Sequence, residues 1–423
     1  MTHNAFLRLI ALMIMACFGA VSAFAQQNPG ENFFARDRYV AVTDRAQPAY
    51  DPQPLRLGAL EVTPELNTGL GFRSNLFFAD GNDTQDGFTR LNPSLYAETT
   101  WSRHKIGLDT NVDFVDYFVN SNETVVNFSG RGFGRFDLGS YTSITLGVFG
   151  AIANEPRSAA GVVVNSTEPI DFSVAGVDLT AQYQRGRLRS SLGITADRTN
   201  YDDVGLVTGG ILDQDFRDTD EVNVDGRVDW AIQRDWSIFG RASYIDRETD
   251  GPTLEAPLDR DSDGVILQAG TSFELPVLVR GEIAVGYQRF DFDSDAFGTV
   301  EGVAVDANVQ WFVSQLTTLT ATVGRDIVDP GLGVSAGAFQ TRAGIRADYE
   351  LRRNLLIRAQ ADYARVDFEA IDREDDRFDL GLGVVWKINR NIHLDTSYQY
   401  TNQSSEFQGF NDNQVVLALR LFL

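Results

Sequence analysis

The sequence is poor in the residues on which much protein chemistry depends. Its single cysteine, Cys17, and its three methionines all fall within the first 17 residues. The rest of the chain has no thiol, which excludes disulfides, thiolate metal sites and cysteine nucleophiles there. Histidine is limited to His3, His104 and His393, and lysine to Lys105 and Lys387. No run of 18 or more apolar residues follows the N-terminal segment, so no membrane-spanning helix is expected. Positive charge is also short. With 36 Lys and Arg against 59 Asp and Glu, the formal net charge is −23, and nucleic acid is not an expected partner. The near-absence of lysine reflects either a need for bidentate arginines or genome composition. No cofactor is expected.

What is present begins with an address. Residues 1–25 read as an export signal: Arg8 supplies charge, 9–20 form an apolar core, and Ala23-Phe24-Ala25 is a cleavage site before Gln26. The run Ile14-Met15-Ala16-Cys17 imitates a lipoprotein box, but Met15 is bulky where a small residue is usual. Residues 26–56 keep no period and carry Pro29, Pro48, Pro52 and Pro54. They read as an extended periplasmic arm.

From Leu57 to Leu423 the chain alternates. Val222, Val224, Val228 and Trp230 share one face of a strand, opposite Glu221, Asn223, Asp225, Arg227 and Asp229. The pattern returns over 303–311 and 378–388, and again at the end, where Val415, Leu417, Leu419, Leu421 and Leu423 alternate with mixed residues. Period two with one polar face excludes both a helix and a strand buried on both faces. Short turns near 102–104, 138–140, 185–187, 233–235, 275–277, 313–315, 352–354 and 389–391 alternate with mostly longer Asp- and Gly-rich loops. Direct counting gives about 18 strands, with 16 as the lower value. Trp101, Trp230, Trp236, Trp311 and Trp386 all lie within a few residues of a short turn. That clustering fits a girdle at one membrane interface and not a soluble core. The expected fold is all-β, a transmembrane antiparallel up-and-down barrel of the bacterial outer membrane.

Specific residues add a resemblance. Val42-Thr43-Asp44-Arg45, Pro48, Tyr50-Asp51-Pro52 and Leu55-Arg56-Leu57-Gly58 resemble the lead-in of the type 2 β-barrel porin family. Pro64, Ser74-Asn75-Leu76-Phe77, Leu91-Asn92-Pro93-Ser94 and Trp101-Ser102-Arg103-His104 resemble its first two strands and turns. The resemblance implies an outer-membrane barrel from a family often linked with exopolysaccharide export, and it carries over no catalytic residue.

Three functions follow as alternatives. The first is a porin-like channel for passive passage of hydrophilic solutes. The second is an exit port for exopolysaccharide, working with periplasmic export proteins. The third is a non-conducting structural or adhesion barrel. Lipid, lipopolysaccharide and the outer-membrane insertion machinery are the expected partners. Catalysis is not expected, because His104 and His393 both fall at the short-turn end, away from the outer rim. Asp259-Arg260-Asp261-Ser262-Asp263-Gly264 opens like a calcium loop, but Gly270 stands where the bidentate Glu belongs. No metal site is assigned. Acid clusters at 291–295 and 372–376 read either as lipopolysaccharide contacts through divalent ions or as solvated loops.

Lumen charges are expected at Arg131, Arg135, Arg227, Arg342, Arg346, Arg358, Asp225, Asp306, Asp348 and Asp362, selecting solutes by charge or tying the wall together. The loop 155–170 differs from the other long loops. Ala159-Ala160-Gly161-Val162-Val163-Val164 is small and apolar, and exposure of three valines is unfavourable. Folding into the mouth is expected, with Glu155, Arg157 and Glu168 lining a constriction. Packing of the valines on a neighbouring subunit or loop is the alternative.

Overall fold

The computed structural model describes residues 39–423, apart from 82–83, 163–164, 253–257, 277 and 336. The export signal and the first part of the arm lie outside the described residues. Eighteen strands form the wall: β1 Leu60–Arg73, β2 Asp86–Thr99, β3 His104–Tyr117, β4 Val125–Leu138, β5 Thr142–Asn154, β6 Asp171–Arg185, β7 Leu188–Tyr201, β8 Thr219–Gln233 and β9 Trp236–Thr249, then β10 Ser262–Leu275, β11 Val279–Phe292, β12 Thr299–Ser314, β13 Thr317–Val328, β14 Ala338–Arg352, β15 Leu355–Phe368, β16 Glu374–Lys387, β17 Ile392–Ser405 and β18 Phe410–Phe422. Each strand pairs antiparallel with the next, and β18 returns to β1 in the register Glu65↔Phe422 to Arg73↔Gln414. The sheet is therefore closed, as a membrane requires when no water can satisfy a free edge.

The closing seam shows how the ends are finished. The edge of β1 below Glu65 pairs with a short lead-in strand, Leu55–Leu57, in the register Leu55↔Val62 to Leu57↔Leu60. Beside it, Arg420 Nε of β18 lies 3.3 Å from Glu65 Oε1 and also pairs with Asp395 of β17.

Alternation sorts the side chains as the pattern requires. Outward positions carry exposed aliphatics such as Leu382 (58 % exposed), Val285 and Leu417. The five tryptophans are all exposed on the outer surface near the short-turn end. That end is periplasmic by the general rule for such barrels. A second aromatic belt lies toward the other end. Tyr363 donates to Asp376 (2.5 Å), Tyr398 to Asn413 (2.8 Å) and Tyr400 to Asn411 (3.0 Å), while Tyr244 and Tyr287 donate to Asp263 and Glu301. An amphipathic ring with its hydroxyl paired above it suits an interface.

The arm departs from the extended form expected of it. Residues 39–54 fold in turns closed by Asp44 N→Ala41 O and Tyr50 N→Gln47 O, and they lie across the periplasmic mouth. Val42 N donates to Thr318 Oγ1 (3.1 Å), Arg45 binds Glu350 (2.7 Å), Lys387 binds Asp51 (2.9 Å), and His393 Nε2 meets Tyr50 O (3.1 Å). Ala41 and Val42 are buried. The prolines keep the segment from joining the sheet, and the polar wall at the mouth supplies partners for its backbone.

The lipid face and the lumen face differ in what they tolerate. Leu382→Arg places a guanidinium in the apolar band and is expected to cost about 2–4 kcal/mol if near the midplane. The check is reversible unfolding from lipid vesicles. Asp306→Asn, one face over, is expected to unfold close to wild type.

Candidate functional site: the occluded lumen

The outer half of the barrel is crossed by the loop between β5 and β6. Its base is closed by Glu155 N→Ile170 O (2.7 Å), and successive turns follow through Ala159 N→Pro156 O and Val162 N→Ala159 O. From there it runs inward and docks on the far wall. Gln408 Nε2 donates to Arg157 O (3.0 Å), Arg377 Nη1 to Ser158 Oγ (3.4 Å) and Arg373 Nη1 to Ala160 O (3.3 Å). Ala160 packs on Ala338, Val366 and Phe368. At Gly161 the backbone passes so close to Pro330 and Gly331 that a Cβ would stand 2.9 Å from either carbonyl oxygen. Small residues make that approach possible, which is the physical sense of the Ala-Ala-Gly run.

Two buried ion pairs hold the loop. Arg157 Nε donates to Glu123 Oε2 (2.9 Å), with Ser166 Oγ as a further acceptor, and Arg217 Nη1 donates to Glu155 Oε2 (3.0 Å). The Arg217 guanidinium lies 4.0 Å from the Tyr201 ring centroid. All four charged side chains are almost fully buried. Such pairs specify one geometry strongly, because removing either partner strands a buried charge. Below them, Asp329 receives Arg260 and the N–H of Gly331 (2.8 Å). Burial works against the Asp329 charge, but Arg260, Arg247 and Arg217 outweigh it and hold the carboxyl below its usual range.

Of the three residues expected to line a constriction, the structure brings Glu155 and Arg157 to the lumen, each already engaged in an ion pair. Glu168 does not join them. It lies exposed on the returning leg of the loop, which runs beside the next outer loop through Thr167 N→Gly205 O and Val207 N→Asn165 O. Val162 is partly buried, and the other two valines lie outside the described residues. The docking partners Glu123, Arg217, Arg373, Arg377 and Gln408 had no signal in the sequence, since each sits in a different polar loop or strand end.

Between the arm and this loop lies a cavity of about 1470 Å³. Of the expected lumen charges, Arg227, Arg342, Arg358, Asp225, Asp306 and Asp348 line it. Arg227 binds Glu282 and Asp229 (both 2.8 Å), Arg358 and Arg346 share Asp348 (2.9 and 3.0 Å), and Arg342 binds Asp326 (2.6 Å). Arg131 is tied to Asp178 (2.8 Å), and Arg135 to Asp137 (3.1 Å) toward the periplasmic end. Asp362 lies flat against the wall over Gly344, where a Cβ would stand 2.4 Å from its Oδ1.

Other polar clusters have structural explanations. In the segment that opens like a calcium loop, Asp261 accepts Thr249 N (2.6 Å) and Thr249 Oγ1 (2.8 Å). Asp203, Asp213 and Asp215 converge in the outer loop between β7 and β8. Repulsion from Asp213, with a smaller effect of burial, raises Asp215. His104 Nδ1 accepts Asp137 N (3.2 Å) at its turn.

A closed 18-stranded wall, an inward loop and an aromatic girdle at each end define an outer-membrane barrel. Residues 47–422 match the family described as "putative beta-barrel porin 2". The chain belongs to that family. It is a porin-like β-barrel of the outer membrane, and its relatives in sequence and fold are porin and transport barrels, not enzymes. No curated protein sequence matches it. Among solved structures it is similar to the copper transporter OprC, at 12 % identity over 88 % of this chain and 82 % of that one, with a TM-score of 0.52. It is also similar to Pseudomonas aeruginosa OccK2 (OpdF) in complex with glucuronate, at 11 % identity over 86 % and 98 %, with a TM-score of 0.49. Acinetobacter baumannii OccAB4 gives 10 % identity, 86 % and 98 %, and a TM-score of 0.48.

Two outcomes are expected of the loop anchors. Glu123→Gln leaves Arg157 buried and unpaired, a loss of about 3–5 kcal/mol in docking, read as new protease cleavage within the loop of a barrel that remains folded. Asp329 is depressed in the folded state, so its contribution is complete above its unfolded pKa of about 4 and is lost as pH falls through the lower folded value. Cleavage in the neighbouring loop 329–337 is therefore expected to rise with acid below about pH 4, and less so in Asp329→Asn.

Proposed function

We propose that the barrel is a narrow, charge-lined channel for passive passage of small hydrophilic solutes. The observation that carries this is the cavity itself. It runs from Val42 and Pro52 of the arm to the loop segment at 155–161 and is lined by arginines and carboxylates in nearly equal number. Opposed charges of that kind set up a field across the path, which sorts solutes by charge and hydration. With the arm across one mouth and the loop docked in the outer half, the path suits small solutes and is obstructed for a polymer. Exopolysaccharide export with periplasmic partners therefore ranks second, since it requires both the loop and the arm to leave the lumen. Contacts with lipopolysaccharide at the tyrosine belt and with the insertion machinery through β18 belong to the same reading.

Single-channel recording in planar bilayers tests it. Wild type is expected to conduct in small steps, and deletion of 158–164 to raise the conductance and admit larger sugars. Unchanged conductance in a folded deletion variant removes the loop from the path. Absence of conductance in both variants replaces the channel with a structural barrel.

A further inference from the structure

Charges of both signs line the cavity in nearly equal number, but they are not equally committed. Most of the arginines are held by carboxylates. Arg131 donates to both oxygens of Asp178 (2.9 and 2.8 Å), Arg247 to Glu221 (2.7 Å) and Arg342 to Asp326 (2.6 Å). Arg227 holds two carboxylates, Asp229 and Glu282 (both 2.8 Å). Arg346 and Arg358 share Asp348, and Asp362 lies two residues along β15 from the register partner of Arg346. The docked loop and the arm bring their own pairs, Arg157–Glu123, Arg217–Glu155 and Lys387–Asp51, and so add no open positive charge.

Three carboxylates stay outside this pairing. Asp109 faces Arg131 across the ladder between β3 and β4, but that guanidinium is given to Asp178. Asp225 rests over Gly193, where any Cβ would collide with its carboxylate. Neither Asp109 nor Asp225 makes a side-chain hydrogen bond or an ion pair among the described residues. Asp306 lies 3.7 Å from Arg241, whose Nε donates to Gln268 Oε1 (2.9 Å) instead. All three line the cavity and are partly exposed. They belong to β3, β8 and β12, so they face the passage from separate sectors of the wall. Asp225 and Asp306 lie eight residues from the periplasmic ends of their strands and Asp109 five, which places them between the arm and the docked loop.

The distinction has an electrostatic consequence. A bound ion pair is nearly neutral at the range of a passing solute, whereas a carboxylate without a partner keeps its field. Low-dielectric walls focus that field into the passage, where it attracts one sign of charge and repels the other.

We propose that the passage prefers cations, that Asp109, Asp225 and Asp306 set the preference, and that its solutes are small hydrophilic molecules bearing an ammonium or comparable positive group. The inference rests on the channel reading for its use, but the negative potential of the lumen is measurable without conduction.

Two measurements on the reconstituted barrel test it. In a KCl gradient across a planar bilayer, the reversal potential is expected to have the sign of cation preference, and to keep it when lysine replaces potassium. Asp109→Asn and Asp225→Asn are each expected to move it toward zero, and both together with Asp306→Asn to abolish or reverse it. Asp372→Asn, exposed in an outer loop, is expected to leave it unchanged. The second measurement exploits the absence of cysteine beyond the N-terminal segment. Ser243 lines the cavity as the register partner of Asp225. Ser243→Cys is expected to react several-fold faster with a cationic methanethiosulfonate than with an anionic one, and Asp225→Asn to narrow that ratio. Heat-modifiability on gels confirms that each variant is folded, and the single variants decide the question if the triple one does not assemble. A potential of anion sign, or one indifferent to all three aspartates, overturns the proposal, as do equal reagent rates at position 243. A barrel that does not conduct, yet keeps the reagent ratio and its dependence on Asp225, removes the channel and leaves the cation-attracting lumen standing.

Discussion

Everything in this barrel follows from one requirement: in lipid, each backbone N–H and C=O must find a partner inside the protein. Closure of β18 on β1 meets it for the sheet as a whole, and the lead-in strand Leu55–Leu57 meets it for the edge that β18 does not reach. The same requirement explains Gln288. Where β12 loses its neighbour, an amide side chain carries a donor and an acceptor in one plane, as a peptide does, and stands in for the missing backbone. The exception therefore obeys the rule by other means.

Closing a wide sheet creates an interior that is too large to fill with side chains, and the molecule fills it from both ends with chain. The periplasmic mouth receives residues 39–54, bound by Arg45–Glu350 and Lys387–Asp51. The outer half receives the loop after β5, bound by Arg157–Glu123 and Arg217–Glu155. The strongest of these contacts are ionic, because the wall is rich in Asp, Glu and Arg; small apolar contacts such as Ala160 on Ala338, Val366 and Phe368 add to them. Such anchors are specific in geometry and sensitive to loss of a single partner.

The lumen is also less uniform than an ion-paired wall suggests. Ion pairs run around the wall from Arg227 to Asp348 and Arg358, whereas apolar side chains gather where the loop docks, with Ala160 against Ala338, Val366 and Phe368. The inward bend of Asp329–Gly331 receives Gly161 of the docked loop.

Much of the architecture was legible in the sequence, because a membrane barrel repeats one simple constraint. Period two separates lipid from lumen at every strand, short and long connections alternate between the two ends, and tryptophan marks one interface. Strand number, closure and the outward placement of Leu382 or Trp386 follow from these local patterns. The expectation of inward charges rested on the same alternation; six of the ten line the cavity, and Arg131, Arg135, Arg346 and Asp362 are not among its lining residues. What alternation cannot encode is which distant residues meet inside. Glu123, Arg217, Arg377 and Gln408 are ordinary polar residues of separate loops and strands, and only the closed wall brings them around Arg157 and Ser158. The arm reads as extended because its prolines suppress periodicity, yet the mouth supplies the partners that fold residues 39–54. The early end of the β12–β13 ladder at Val305↔Arg325 is invisible in sequence, since Thr299–Ala304 alternate like any other strand. Gln288 meets Val303, Arg325 and Ile327 there only because the closed wall brings β11, β12 and β13 side by side, and that meeting belongs to the tertiary structure alone.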